Sequence, residues 1–176
     1  MRFVSLFLTL IITTLLGASV SWAKDTIKDT ITVQKTMPFK KGVPIPKAVR
    51  AKCRLPEKLS LFVQKYSKKS ADIKVVDGDL KDIEGKVLDI KIINVHGPGG
   101  GAYTGAKYVA VKGELKENGK VISSFIGARY SGGGFYGGFK GTCSILGRCV
   151  KAIGKDVGKW LHNPKDGARL GDAPED

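Results

Sequence analysis

The sequence predicts an α+β domain, an antiparallel sheet of about four to five strands with two helices on one face, in the order β-α-β-β-β-β-α. Three observations predict it. Residues 56–69 and 144–161 space apolar side chains as a helix does. Residues 86–95 alternate apolar and charged residues with a period of two. Glu117-Asn118-Gly119-Lys120 supplies a tight turn between two further strand-like runs.

The N-terminal residues address the chain. Arg2 precedes an apolar run over residues 3–17, and Ser21-Trp22-Ala23 sets small residues at the two positions a signal peptidase inspects. A leader spanning residues 1–23 and cut after Ala23 is expected, too short for a comfortable membrane span. No cysteine lies near the cut, so no lipid anchor is expected there. The expected address is the periplasm or the exterior.

The elements follow in order. Residues 24–52 read as a basic, proline-containing arm with a first strand near residues 26–33. Pro38, Pro44 and Pro46 favour an extended surface segment over a helix. The main domain runs over residues 53–161. Its first helix carries Leu59, Phe62, Val63 and Tyr66 on one stripe, with Pro56 and Glu57 in positions that suit a helix start. A short strand is expected over residues 72–76 and a polar turn over 77–85. In the longer strand that follows, Leu88, Ile90 and Ile92 alternate with Asp89 and Lys91. Asn118-Gly119 provides the positive backbone torsions of a two-residue hairpin. Its simplest register sets Glu117 opposite Lys120, Leu115 opposite Ile122, Val111 opposite Ile126 and Val109 opposite Ala128. The other face then pairs Tyr108 with Arg129 and Lys112 with Phe125. The last helix carries Leu146, Val150, Ile153, Val157, Trp160 and Leu161, with Gly147, Gly154 and Gly158 permitting close approach to the sheet or lying in solvent. Residues 162–176 are rich in Asp, Pro and Gly and read as a flexible tail.

Charge points to a partner. Lys and Arg total 30 against 16 Asp and Glu, a net charge of +14, of which only Arg2 leaves with the leader. Residues 31–56 hold seven basic residues and no acidic one, including Lys40, Lys41, Lys47, Arg50 and Lys52 of the arm. Outside the cytoplasm such a surface suits an anionic envelope polymer, an acidic protein or a membrane surface, with nucleic acid ranked below these.

Strand direction brings two glycine-rich loops, residues 96–105 and 130–142, to one end of the sheet. They combine bared backbone donors, aromatic rings and cations, and so nominate His96, Tyr103, Lys107, Tyr108, Arg129, Tyr130, Tyr136 and Lys140 as ligand-binding residues. Gly132, Gly134 and Gly137 match a dinucleotide-binding pattern by spacing. That fingerprint belongs to a parallel βαβ unit and is rejected at the end of a hairpin. Catalytic chemistry is weakly signalled. His96 and His162 have no neighbours at metal-ligand spacing, and no serine lies in a nucleophile elbow. No cofactor, metal or catalytic residue is assigned, and a small secreted hydrolase or nuclease using His96 stands as the alternative to binding.

Cys53, Cys143 and Cys149 allow one disulfide, which export favours. The expected topology sets Cys53 at the far end of the sheet from Cys143. Cys143 with Cys149 is therefore favoured, provided the helix starts near Gly147, and Cys53 with either partner is the alternative.

The glycine-flanked hairpin and the run Gly141-Thr142-Cys143-Ser144-Ile145-Leu146-Gly147-Arg148-Cys149, continuing to Trp160-Leu161, resemble small exported bacterial proteins of uncharacterised families. In outline, residues 53–161 are also similar to the α+β domain of envelope accessory proteins such as penicillin-binding-protein activators and curli-secretion subunits. The resemblance implies non-catalytic partner binding and transfers no functional residue.

Overall fold

A computed structural model describes residues 29–175; the expected leader lies outside them. An antiparallel meander forms the centre, with β3 (Lys86–His96), β4 (Lys107–Glu117) and β5 (Lys120–Ser131). Parallel strands flank it. β1 (Thr30–Gln34) pairs with β3, β2 (Asp72–Val76) pairs with β1, and β6 (Ala168–Gly171) pairs with β5. The described sheet thus has six strands in the order β2-β1-β3-β4-β5-β6, more than the four to five expected, and it is mixed rather than purely antiparallel.

Parallel neighbours require crossovers, and the helices supply them. α1 (Lys47–Lys52) and α2 (Leu55–Ser67) link β1 to β2, and α3 (Thr142–Trp160) leads from β5 towards β6. α2 begins one residue before Pro56, so the proline falls in the first turn, where its missing N–H costs nothing. α2 and α3 bury Leu59, Val63, Leu146, Val150, Ile153 and Val157 in one core with Val33, Leu88, Ile90, Ile92, Val109 and Val111 of the sheet. Each fully buried aliphatic side chain of this kind contributes about 1.5–3 kcal/mol. The helical glycines serve the helix pair rather than the sheet. A Cβ on Gly158 would lie 2.5 Å from the Tyr66 carbonyl oxygen, and one on Gly154 2.6 Å from the Phe62 Cβ, whereas Gly147 faces open space.

The hairpin turn forms where the sequence sets it, with Glu117 opposite Lys120, but its register changes within three residues. Lys116 pairs with Val121 and Leu115 with Ser123, so Ile122 is the extra residue of a bulge. Beyond it Val111 faces Gly127, Val109 faces Arg129, and Tyr108 faces Tyr130, one residue away from the simple register. A shift of one residue exchanges the two faces of β5. Phe125 consequently turns to the helix side, where it is 1% exposed, lies edge-on to Trp160 at 4.7 Å, and fills the space left by Gly113. Burial of a phenylalanine favours this arrangement over the Lys112–Phe125 pair expected on the wet face.

Both flanks are better ordered than their composition suggests. Residues 38–40 run beside β3, with the Ile92 N–H donating to the Pro38 carbonyl at 2.9 Å and the Lys40 N–H to the Ile92 carbonyl at 2.8 Å. Met37, Ile45 and Val49 are buried, and residues 47–52 are helical, so the basic segment is docked rather than a free extended arm. Its prolines flank α1 instead of interrupting it, with Pro46 at the cap. The C-terminal segment supplies β6 instead of fraying. Trp160 Nε1 donates to the Lys165 carbonyl at 3.0 Å, Ser124 Oγ to Asp166 at 2.7 Å, and the Asp172 N–H to the Ala128 carbonyl at 2.9 Å. Its polar residues hydrogen-bond to a strand edge that would otherwise be open.

Candidate functional site

The helices cover one face of the sheet; the opposite face carries a charged ladder. Lys91, Lys112 and Lys116 share Asp89 and Glu114 through contacts of 3.1–3.4 Å. Burial raises the Glu114 pKa, but hydrogen bonds from Lys112 and Lys116 outweigh it and hold the carboxyl below its ordinary range. Burial also opposes the charge on Lys116, and Asp89 and Glu114 more than restore it.

Between this ladder and the docked segment runs a groove of about 480 Å³, with Pro38, Phe39 and Ile93 among its apolar lining. Lys40, Lys41, Lys91 and Lys112 also line it, beside Asp89 and Glu114. It is continuous with a second groove that reaches Leu80, Ile83 and Lys116 and shares Pro38, Lys41, Asp89 and Lys91 with the first. The exposed side chains of Lys40 and Lys41 form no ion pair among the described residues.

His96, Tyr108 and Tyr130 form one row across β3, β4 and β5 on the same open face. The two tyrosine rings lie 4.4 Å apart. Burial, then the neighbouring Tyr130 and Asp172, push the Tyr108 phenol above its ordinary pKa. The exposed His96 imidazole has no hydrogen-bond partner among the described residues. Three of the eight nominated loop residues therefore meet on the sheet, rather than in a pocket between loops.

The nominated cations are engaged internally. Lys107 is fully buried and donates from Nζ to Thr104 Oγ1 at 2.7 Å and to the Gly105 carbonyl at 2.9 Å. Lys140 donates to the carbonyls of Gly133 and Phe135 at 2.9 and 2.8 Å. Arg129 forks onto Asp156 of α3 at 2.7 and 3.0 Å and reaches Asp172 at 3.2 Å. These three groups shape the protein and leave an incoming anion little to bind. The changed register moves Arg129 to the helix side, something the simple hairpin alignment could not reveal.

The two loops do meet at one end. The Gly101 N–H donates to Thr142 Oγ1 at 3.2 Å, and that hydroxyl donates to the Pro98 carbonyl at 2.8 Å. Short 3₁₀ turns at Gly101–Thr104 and Gly137–Phe139 hold Tyr103 and Phe139 at 84% and 88% exposure, beside Phe135 at 84% and Tyr136 at 69%. Phe135 and Phe139 lay outside the nominated set; their weight becomes visible only once exposure is known.

Cys53 is bonded to Cys143 across a sequence separation of 90, which corrects the Cys143–Cys149 pairing. α3 is regular from Thr142, so Cys143 and Cys149 stand about 9 Å apart along its axis and cannot bond. The parallel course of β1 and of residues 38–40 beside β3 carries α1 to the glycine-loop end, where Cys53 meets Cys143. Cys149 is free and buried, and burial pushes its thiol up to about 11.

No protein-family model and no curated protein matches the chain. Among solved structures, it is similar to a PelC dodecamer from Paraburkholderia phytofirmans at 16% identity and a TM-score of 0.44, covering 73% of this chain and 87% of that one. It is also similar to a minor lipoprotein from Acinetobacter baumannii at 8% identity and a TM-score of 0.40, covering 77% and 92%. Neither is described as a penicillin-binding-protein activator or a curli-secretion subunit.

Proposed function

We propose that the protein is an exported accessory module, periplasmic or secreted, that binds an anionic envelope polymer or an acidic protein partner in the groove on its open sheet face. The observation that carries this reading is the pair Lys40 and Lys41. They stand at the rim of a groove with apolar Pro38, Phe39 and Ile93 in its lining, and form no ion pair among the described residues. An ammonium already bonded to a carboxylate adds little attraction for a second anion; a solvated one beside an apolar floor adds charge and contact together. The row His96, Tyr108 and Tyr130 extends the same face with rings on which a sugar or a planar group stacks.

Binding should be measured against peptidoglycan fragments, lipopolysaccharide and acidic proteins at rising salt. The expected result is affinity that falls with salt and falls at least fivefold in the Lys40→Glu/Lys41→Glu variant. Affinity indifferent to both salt and these charges would discard the groove. The catalytic alternative predicts turnover of a polymer substrate that disappears in His96→Ala.

A further inference from the structure

The glycine-loop end presents a surface different from the groove. Three stretches of chain converge there, residues 44–54, 96–105 and 132–143. Lys47 lines a depression with His96, Gly97 and Pro98, a Cβ on Gly97 would touch both Val49 and Thr142, and Cys53 is bonded to Cys143. All three belong to segments that hold no Asp or Glu, namely residues 30–56, 90–113 and 118–155. Lys47, Arg50 and Lys52 are exposed on α1, and Arg50 lies 4.7 Å over the Phe39 ring. Asp172, which β6 carries towards this end, is held by Arg129 and the Tyr130 N–H.

Tyr103, Phe135, Tyr136 and Phe139 stand out of this surface, whose three converging segments hold no acidic residue. The loops that carry them are braced from within. Lys107, Lys140 and Arg148 donate to loop carbonyls, and Thr104 Oγ1 donates to the Gly99 carbonyl at 2.6 Å. The loop backbones that carry the rings are thereby tied to the body. A cluster of exposed rings this prominent marks an interaction surface.

We propose that this end docks on an anionic lipid surface, with the four rings entering the headgroup boundary and α1 supplying the attraction. Rings on loop tips wedge into a soft surface without a complementary pocket, and tyrosine suits the membrane–water boundary because one edge is apolar and the other polar. Lys47, Arg50 and Lys52 match the negative potential of an anionic leaflet, to which each cation near the surface adds attraction. Apolar contact and charge together give reversible docking. The proposal rests on other rings and cations than the groove's Lys40 and Lys41, and the two surfaces adjoin where Arg50 packs over Phe39.

The test uses the protein purified after export with its disulfide intact. Co-sedimentation is measured with vesicles of pure phosphatidylcholine and with vesicles containing 30% phosphatidylglycerol, about one anionic lipid in three. Binding to the anionic vesicles is expected, weakening with salt. It should fall at least tenfold both in Tyr103→Ser/Phe135→Ser/Phe139→Ser and in Lys47→Glu/Lys52→Glu. Phe139→Trp should give a blue-shifted emission on anionic vesicles only. The far-UV spectrum and melting temperature of each variant establish that it is folded. No binding at low salt, or binding unchanged by loss of the rings, overturns the proposal and turns the rings towards a protein partner. Adding Lys40→Glu/Lys41→Glu to the Phe139→Trp variant should leave the emission shift in place, so failure of the groove and failure of the lipid surface are separately visible.

Discussion

Cys53 and Cys143 join the C-terminal end of α1 to the first turn of α3, with Cα atoms 4.8 Å apart across 90 residues of sequence. The bond closes a loop that contains α2, β2, β3, β4 and β5. It also fixes the basic helix beside the glycine loops. In the chain-entropy model a loop of this length contributes about 4–5 kcal/mol.

Cys53→Ser should therefore lower stability by about 2–5 kcal/mol in denaturant titration. A thiol count on the unfolded variant should give two free groups rather than a new disulfide, because Cys143 and Cys149 are held apart by α3. Amide exchange should accelerate first over residues 47–53 and 97–105. A Cys143–Cys149 bond in this variant would contradict the regular helix start.

The glycines of α3 divide by what faces them. Alanine at Gly158 or Gly154 gains about 1 kcal/mol of helix propensity and meets backbone or Cβ atoms of α2, an overpacking cost of about 1–3 kcal/mol. Both substitutions should lower the melting temperature. Gly147→Ala meets nothing and should raise it.

Lys107 braces the loop that ends in Thr104 and Gly105. Lys107→Met keeps most of the buried stem and removes the donor to Thr104 Oγ1 and the Gly105 carbonyl. An expected loss of about 1–3 kcal/mol follows from losing two hydrogen bonds from a charged donor. Faster amide exchange confined to residues 99–105 would separate this effect from general destabilisation.

The buried Cys149 thiol predicts a pH dependence of defined sign. Its ordinary value of 9.0 applies to the unfolded chain, and burial raises it to about 11 in the folded one. Between those values the unfolded state sheds a proton that the folded state keeps, so stability falls as pH rises from about 9 to about 11. Well below pH 9 this group contributes no slope. Subtracting the profile of Cys149→Ala should isolate the fall, and at pH 8, roughly one unit below the free-thiol value, alkylation of Cys149 should track global unfolding.

The sequence located elements well and pairings less well. The strand over residues 72–76, the strand beginning at Lys86, the Asn118-Gly119 turn and both long helices stand where periodicity and turn chemistry set them. Those signals are local: a helix stripe or a turn dipeptide acts within a few residues. The bulge at Ile122 left no comparable mark. It exists because Phe125 finds space above Gly113 beside Trp160, and neither neighbour can be identified from β5 alone.

The candidate site divides in the same way. The aromatic and basic character of the loops, and their shared position at one end, could be read from composition and strand direction. Which cations remain available could not. Lys107, Arg129 and Lys140 look equivalent to Lys40 and Lys41 in a sequence, yet the first three are bonded within the fold and the last two are not. By itself, the sequence determined an α+β chain with an excess of positive charge, its long helices and its hairpin turn. Only the tertiary structure decided the register of β5, the partner of Cys53 and the cations left facing outward, because each depends on which surfaces meet across long separations, and burial and hydrogen bonding at those meetings outweigh local preference.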